Sequence, residues 1–408
     1  MSDAGTIIFD GWRGPLILAL PPYLAFGCSL GLLQVAIPSI LQRQGLPVES
    51  VSLVALLLLP LCLSVFWAPA VDRFALTRWG RRKSWFALAQ TMVVASLLVL
   101  AFSGPDRLSV LLAAMLCLSV GAATMDVILD GTLAETAAGK TQAIRGGIKV
   151  TGMLTGTVLG SLVMIHLIEA AGWVSGFAVA ALFSALAALP LVFARIDGEA
   201  AEARRVPSVL SFIRRSGNGL RLVLVVVVGL ALGIGLSAPR LVMIEQGYAL
   251  TAIGWIFGTA APLAGALGAV GGLVLGDRIG LPRAFGASVL LFVLSASSLA
   301  WHFAGGGGAA LFPAAAIALA SFAYAGIYCV VCSLAMGWVA TNQSATDYAM
   351  VQNGWLLAIV AGSALSGTVL AQTGLLVLPA SATVVAAAAV ALVLVDASSA
   401  ARIARSGV

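Results

Sequence analysis

Read for its alternation of apolar and polar positions, the chain divides into twelve apolar runs separated by short polar punctuation. The first six lie near residues 15–41, 50–70, 84–103, 108–133, 146–168 and 173–194. The second six lie near 221–243, 250–275, 284–303, 309–338, 347–371 and 375–396. A helix needs roughly 20 apolar residues to cross a bilayer, so each run predicts one spanning helix. The one sizeable polar stretch, 195–220, begins Arg195-Ile196-Asp197-Gly198-Glu199 and falls near the midpoint. The predicted organisation is an all-α membrane protein of twelve transmembrane helices: a six-helix half over 1–194, a linker over 195–220 and a second half over 221–408.

Composition removes the soluble alternatives. Of 408 residues, 61% are hydrophobic and 9% charged, whereas a soluble domain carries about 25% charged residues. Lipid must therefore be the solvent for most of the surface. The net charge of +6 is not a nucleic-acid signal, because its distribution is one-sided. With the N-terminus inside, the cytoplasmic segments hold 19 of the 22 Lys and Arg, leaving Arg43, Arg107 and Arg240 in outward loops or a span. The positive-inside rule then predicts a multi-pass inner-membrane protein with both termini cytoplasmic. Residues 1–14 are mixed, and the apolar run from Pro15 is long enough to span rather than be removed as a signal.

The two halves repeat. Val71-Asp72-Arg73 leads to Gly80-Arg81-Arg82-Lys83 after the second run, and Gly276-Asp277-Arg278 leads to Gly280-Leu281-Pro282-Arg283 after the eighth. Asp72 and Asp277 are 205 positions apart, as are Arg73 and Arg278, and Gly121 and Gly326. A duplicated half is typical of secondary transporters.

Asp-Arg followed by Gly-Arg-Arg between the second and third runs resembles the signature loop of the major facilitator superfamily, and the twelve-span pattern extends the resemblance along the whole chain. Ala68-Pro69-Ala70 stands where a small glycine is usual, and the spacing from Asp72 to Gly80 is stretched. Within the superfamily, Trp67-Ala68-Pro69 before Asp72-Arg73, the acidic fourth run and Ala345-Thr346-Asp347-Tyr348-Ala349 resemble the muropeptide permease (AmpG-type) branch. That branch includes permeases for iron-siderophore chelates. Asp347 and the short length tilt the resemblance toward the siderophore group. It implies a two-bundle fold, a monomeric working unit and solute transport.

Charges inside or beside the spans are the candidate chemistry. Asp72 and Arg73, with their copies Asp277 and Arg278, are expected to act as a gate whose interactions form in one conformation and break in another. Arg81, Arg82 and Lys83 are expected to anchor at headgroups. Asp126 and Asp130 in the fourth run are four residues apart and share a helical face. A carboxylate in a span is costly unless protonated, paired or hydrated. These two residues are therefore candidates for proton coupling or, alternatively, for ion pairs with Arg145 or Lys149. Glu135 reads as a loop residue. Arg240, near Glu245, either grips an anionic substrate group through forked hydrogen bonds or snorkels to the interface. Ser344-Ala345-Thr346-Asp347 matches a capping box. Tyr348, Gln352 and Asn353, with Tyr23 and Gln34 in the first run, are candidates to line a substrate cavity.

No nucleotide loop, partnered nucleophile or metal-ligand spacing is present, so neither an enzyme nor a cofactor is expected. Cys329 and Cys332 form a C-x-x-C with no second pair, and His166 and His302 lie near helix ends. The expected function is a proton-driven permease importing a siderophore or iron-siderophore chelate. The expected partners are a small molecule, protons and the lipid bilayer, and no nucleic acid. A muropeptide permease is the alternative; a small-molecule exporter or a non-transporting assembly factor are further readings.

Overall fold

In the computed structural model, the described residues are 13–43, 55–104, 107–135, 141–193, 207–307, 311–340 and 342–406. Residues 195–206 of the expected linker lie outside them. Every described element is helical, the arrangement that satisfies backbone hydrogen bonds within each segment in lipid. In chain order the helices are α1 (Arg13–Gly31), α2 (Ile37–Arg43), α3 (Leu59–Leu63), α4 (Ala68–Arg73), α5 (Arg81–Ser103), α6 (Leu108–Glu135), α7 (Thr141–Val158), α8 (Met164–Ala171) and α9 (Trp173–Phe193). There follow α10 (Val209–Arg214), α11 (Asn218–Glu245), α12 (Leu250–Trp255), α13 (Ala261–Ile279), α14 (Leu281–Trp301), α15 (Phe312–Met336), α16 (Ser344–Thr373) and α17 (Val377–Ser406). Single wide turns join α1 to α2 (Leu32–Ala36), α7 to α8 (Leu159–Val163) and α12 to α13 (Ile256–Ala260), so each pair forms one long rod.

Ten helical stretches among the described residues are long and apolar enough to cross a membrane. One of them, Ser344–Ser398, is 55 residues long and is broken into α16 and α17 by the turn Gly374–Leu376. The second apolar run departs from the expected continuous helix. From residue 55 it is a relay of short turns, Ala55–Leu58, α3, Ser64–Phe66 and α4. Pro60 and Pro69 sit at the starts of α3 and α4, where a missing N–H is tolerated and the preceding turn cannot continue as regular helix.

By contact, the chain forms two compact units. One comprises Met1–Thr141, Thr151–Val209 and Val339–Met350; the other comprises Gln142–Val150, Leu210–Trp338 and Val351–Val408. In the first, an apolar core gathers Leu33 and Ile37 with Val93, Leu97, Met115 and Phe177. There, α1 lies backbone to backbone on α7. A Cβ on Gly27 would fall 2.0 Å from the Met153 carbonyl oxygen, and one on Gly160 would fall 2.0 Å from that of Cys28. In the second unit, α11 and α16 meet the same way at Gly233 and Gly362, whose added Cβ atoms would lie 2.3 Å and 2.2 Å from opposing carbonyls. Such seams of small residues let membrane helices gain close packing where no hydrophobic effect drives them together.

Candidate functional site

A dense polar cluster is built around the loop after α4. Chain direction changes at Gly80, whose φ of 95° and ψ of 166° lie in a region closed to residues with a Cβ. This turn starts α5 at Arg81 and sends Arg82 inward, where it is 2% exposed. Arg82 Nη2 donates to Asp72 Oδ1 at 3.0 Å, to Ser344 Oγ at 2.6 Å and to Glu135 Oε1. Arg81 reinforces the cluster, with Nη1 donating to the Asp72 carbonyl at 2.6 Å and Nη2 to Glu135 at 3.2 Å. Space for the guanidinium comes from Gly131, where a Cβ would lie 2.8 Å from Arg82 Nη1.

Asp72 is fully buried and also faces the start of α16. Its Oδ2 accepts from the Thr346 backbone N–H at 2.7 Å and the Thr346 hydroxyl at 2.6 Å, and Oδ1 accepts from Ala345 N–H at 3.3 Å. The first amides of a helix have no intrahelical partner and carry its positive end, so this carboxylate caps α16 from 274 residues away in sequence. Ser344, the first residue of the expected capping box, donates to Glu135 Oε1 at 2.8 Å. Asp347 Oδ2 accepts from Ala340 N–H at 2.8 Å, and its Oδ1 accepts from the Gln343 side chain. Gln343 in turn exchanges two hydrogen bonds with the backbone of Ser208, at 3.2 and 3.3 Å.

A second buried pair joins α1 and α6. The Tyr23 hydroxyl donates to Asp130 Oδ1 at 2.6 Å, with both residues buried. Asp126, one turn earlier on α6, is 7% exposed. Gly152 lets α7 close over the pair, since a Cβ there would lie 2.7 Å from Tyr23 Cβ.

In the second unit, Tyr324, Tyr328 and Trp355 form an aromatic stack. Ring centroids lie 6.1 Å apart for the two tyrosines and 5.3 Å for Tyr328–Trp355, with interplanar angles of 6° and 16°. Gln352 donates from Nε2 to the Tyr328 hydroxyl. Asn353 and Tyr348 are buried, whereas Gln34 and Arg240 are exposed. Asp277 and Arg278 are exposed at the end of α13, and Arg73 is exposed with its guanidinium 5.2 Å from the Phe74 ring.

Two residues expected to be peripheral are therefore central. Glu135 is not in a loop but ends α6, and Arg82 is not a headgroup anchor but the hub of the cluster. The sequence signal for Arg82 lies only in helix register: three consecutive basic residues look alike until Gly80 fixes which one points inward. Unforeseen as well is the cluster of Arg221, Asp396 and Trp338. There Arg221 Nη2 and Trp338 Nε1 each donate to Asp396 Oδ1 at 2.8 Å, and the guanidinium lies 5.1 Å from the Trp338 ring.

Known proteins give a consistent picture. The family profile described as Major Facilitator Superfamily matches residues 23–274. AmpG 4 of Rickettsia felis is 27% identical over 42% of this chain and 43% of its own length. AmpG 4 of Rickettsia conorii is 26% identical over 58% of this chain and 61% of its own. The matches thus span about half the length of these curated relatives. Among solved structures, the human organic anion transporter MFSD10 (TETRAN) aligns over 93% of this chain and 99% of its own, with a TM-score of 0.69 at 17% identity. The transporter FucP in its outward conformation aligns over the same shares, with a TM-score of 0.69 at 12% identity. At these identities the likeness establishes the fold.

Proposed function

The chain belongs to the major facilitator superfamily, and from that premise we propose that it is a proton-driven permease of the bacterial inner membrane, both termini cytoplasmic, importing a siderophore or iron-siderophore chelate. The Tyr23–Asp130 pair carries the proton-coupling part of this reading. A carboxyl buried within a spanning helix is held there at a cost of several kcal/mol unless it is protonated or well partnered. A tyrosine hydroxyl 2.6 Å away can donate to the ionised form and reorient when the carboxyl takes a proton. Asp126 on the same face is the second carboxyl of the relay. Arg240, Gln34, Tyr348, Gln352 and Asn353 are retained as substrate contacts.

Alternating access in this reading uses the Asp72 cap. Asp72 holds the first turn of α16, and its release would free the amides of Ala345 and Thr346 along with the Arg82 side chain. Arg73, Asp277 and Arg278 complete the proposed gate. The two six-helix halves, 1–194 and 221–408 joined by 195–220, are the moving bodies of a monomer.

The aromatic stack of Tyr324, Tyr328 and Trp355 favours a flat, apolar aromatic substrate such as a phenolic chelate. Against this stands one specific observation, the AmpG name of the curated relatives, which favours a muropeptide. Proteoliposomes with an inward proton gradient decide between them. Uptake of ferric siderophore that depends on the gradient and is lost in Asp130→Asn is the expected result. Uptake of anhydro-muropeptide alone would replace the substrate, and gradient-driven uptake by Asp130→Asn equal to wild type would remove the coupling role.

A further inference from the structure

Apart from these clusters, the first unit carries an open cleft where the start of α5 meets the end of α9. Its volume is 340 Å³, and its lining includes Trp79, Lys83, Phe86, Ala87, Leu191 and Phe193. That volume falls within the range of about 300–1,000 Å³ usual for small-ligand sites, which are largely apolar with a few placed polar groups. Here the placed group is Lys83. Its Nζ donates to the Val192 carbonyl at 3.2 Å, beside the apolar wall that α9 gives the cleft. An ammonium carries three donors, and this bond uses one.

Two further features give the cleft a membrane orientation. Trp79 is 70% exposed and Phe193 79% exposed at its edges, positions that suit aromatic side chains at the headgroup level. The adjoining loop also presents Arg73 and Arg78, both exposed, and among the described residues no carboxylate lines the cleft. A zwitterionic lipid, whose phosphate is offset by its own ammonium, would gain less from this charge than an anionic one, and a small soluble anion would gain nothing from the apolar floor of Phe86, Ala87 and Leu191. We propose that the cleft binds an anionic phospholipid, with its phosphate on the Lys83 ammonium and an acyl chain along Phe86, Ala87 and Leu191. Lys83, Phe86, Ala87 and Leu191 take no part in the Asp72 cluster, the proposed gate or the Tyr23–Asp130 pair, so this site stands independently of the transport reading.

The test places the protein in phosphatidylcholine nanodiscs containing a small fraction of lipid with brominated acyl chains, either phosphatidylglycerol or phosphatidylcholine. Bromine quenches nearby indoles, and the part due to Trp79 is the difference between wild type and Trp79→Phe. Quenching of Trp79 by the brominated phosphatidylglycerol is expected to reach half-maximum at about fivefold lower mole fraction than with the brominated phosphatidylcholine. That is the ratio one lysine produces at an anionic surface. Lys83→Gln should erase the preference and Lys83→Arg should keep it. Equal quenching by the two lipids in wild type, or an undiminished preference in folded Lys83→Gln, overturns the proposal. Should Lys83→Gln fail to fold, the wild-type comparison decides alone. Loss of the preference on adding millimolar inorganic phosphate at constant ionic strength would identify a soluble anion instead and overturn the lipid assignment.

Discussion

The same turn is built twice in this chain and charged once. Gly80 and Gly280 start α5 and α14 with nearly the same backbone, φ 95° and ψ 166° in the first and φ 84° and ψ 155° in the second. Ahead of each comes an Asp-Arg pair. In the first copy the Asp is fully buried among two arginines and a helix N-terminus; in the second it is exposed. The residues after each glycine make the difference. Arg81-Arg82 after Gly80 is matched by Leu281-Pro282 after Gly280, and the position 205 residues beyond Glu135 is Ala340. The repeat thus preserved the glycine turn but not the partners that make an aspartate worth burying. Burial of a carboxylate without a guanidinium and donors costs several kcal/mol, so the second Asp stays at the surface.

The strongest way to break this comparison is to remove the hub. Arg82→Met should leave Asp72 buried opposite a helix N-terminus alone and lower unfolding stability by about 3–5 kcal/mol, read as a fall in the thermal midpoint of protein in nanodiscs. A loss under about 1 kcal/mol would mean that the Thr346 and Ala345 amides suffice to hold the carboxylate. Next in size are the glycines. Gly80→Ala and Gly280→Ala force a Cβ into the same closed backbone region, at roughly 1–3 kcal/mol each. The two midpoints should fall by similar amounts, because strain depends on the turn and not on the charges. A cost confined to Gly80 would show that the second turn relaxes, and that the likeness between the copies is not structural.

Glu135→Gln sharpens the account of the charged copy. Glu135 is about a quarter exposed, and the amide still offers Arg82 and Ser344 an acceptor. About 1 kcal/mol should be lost, the difference between a hydrogen bond to a charged acceptor and one to a neutral acceptor, visible as a small downward shift of the same midpoint.

These residues also show how far sequence reaches. The helices were legible because a spanning helix is written in its own residues: α5, α6, α9 and α11 fall within a few positions of the apolar runs. The broken second run was not, because length and hydropathy do not register what Pro60 and Pro69 do to the turns around them. Asp72 could be singled out through its copy, and Asp130 because a carboxylate in a span is expensive wherever it lies. Arg82 and Glu135 could not, since their importance depends on helix register past Gly80 and on where α6 ends. The cap on α16 was least legible of all. Ser344 and Asp347 form a recognisable local capping pattern, yet the amides of Ala345 and Thr346 are met by a residue more than half the chain away.

The smallest expected effect tests the comparison from its quiet side. Asp277→Asn combined with Arg278→Gln alters two exposed groups at the end of α13, and it should stay within the roughly 0.5 kcal/mol scatter of surface substitutions. The pair removes one charge of each sign, so the net charge of that loop is unchanged and long-range field effects cancel. Transport discriminates further. If Asp277 only decorates a surface, uptake by the double variant matches wild type. If it joins a gate in another conformation, as the reading of both copies as gating elements requires, uptake falls while the thermal midpoint holds. A fall in both would place Asp277 in a stabilising contact and erase the asymmetry between the two turns.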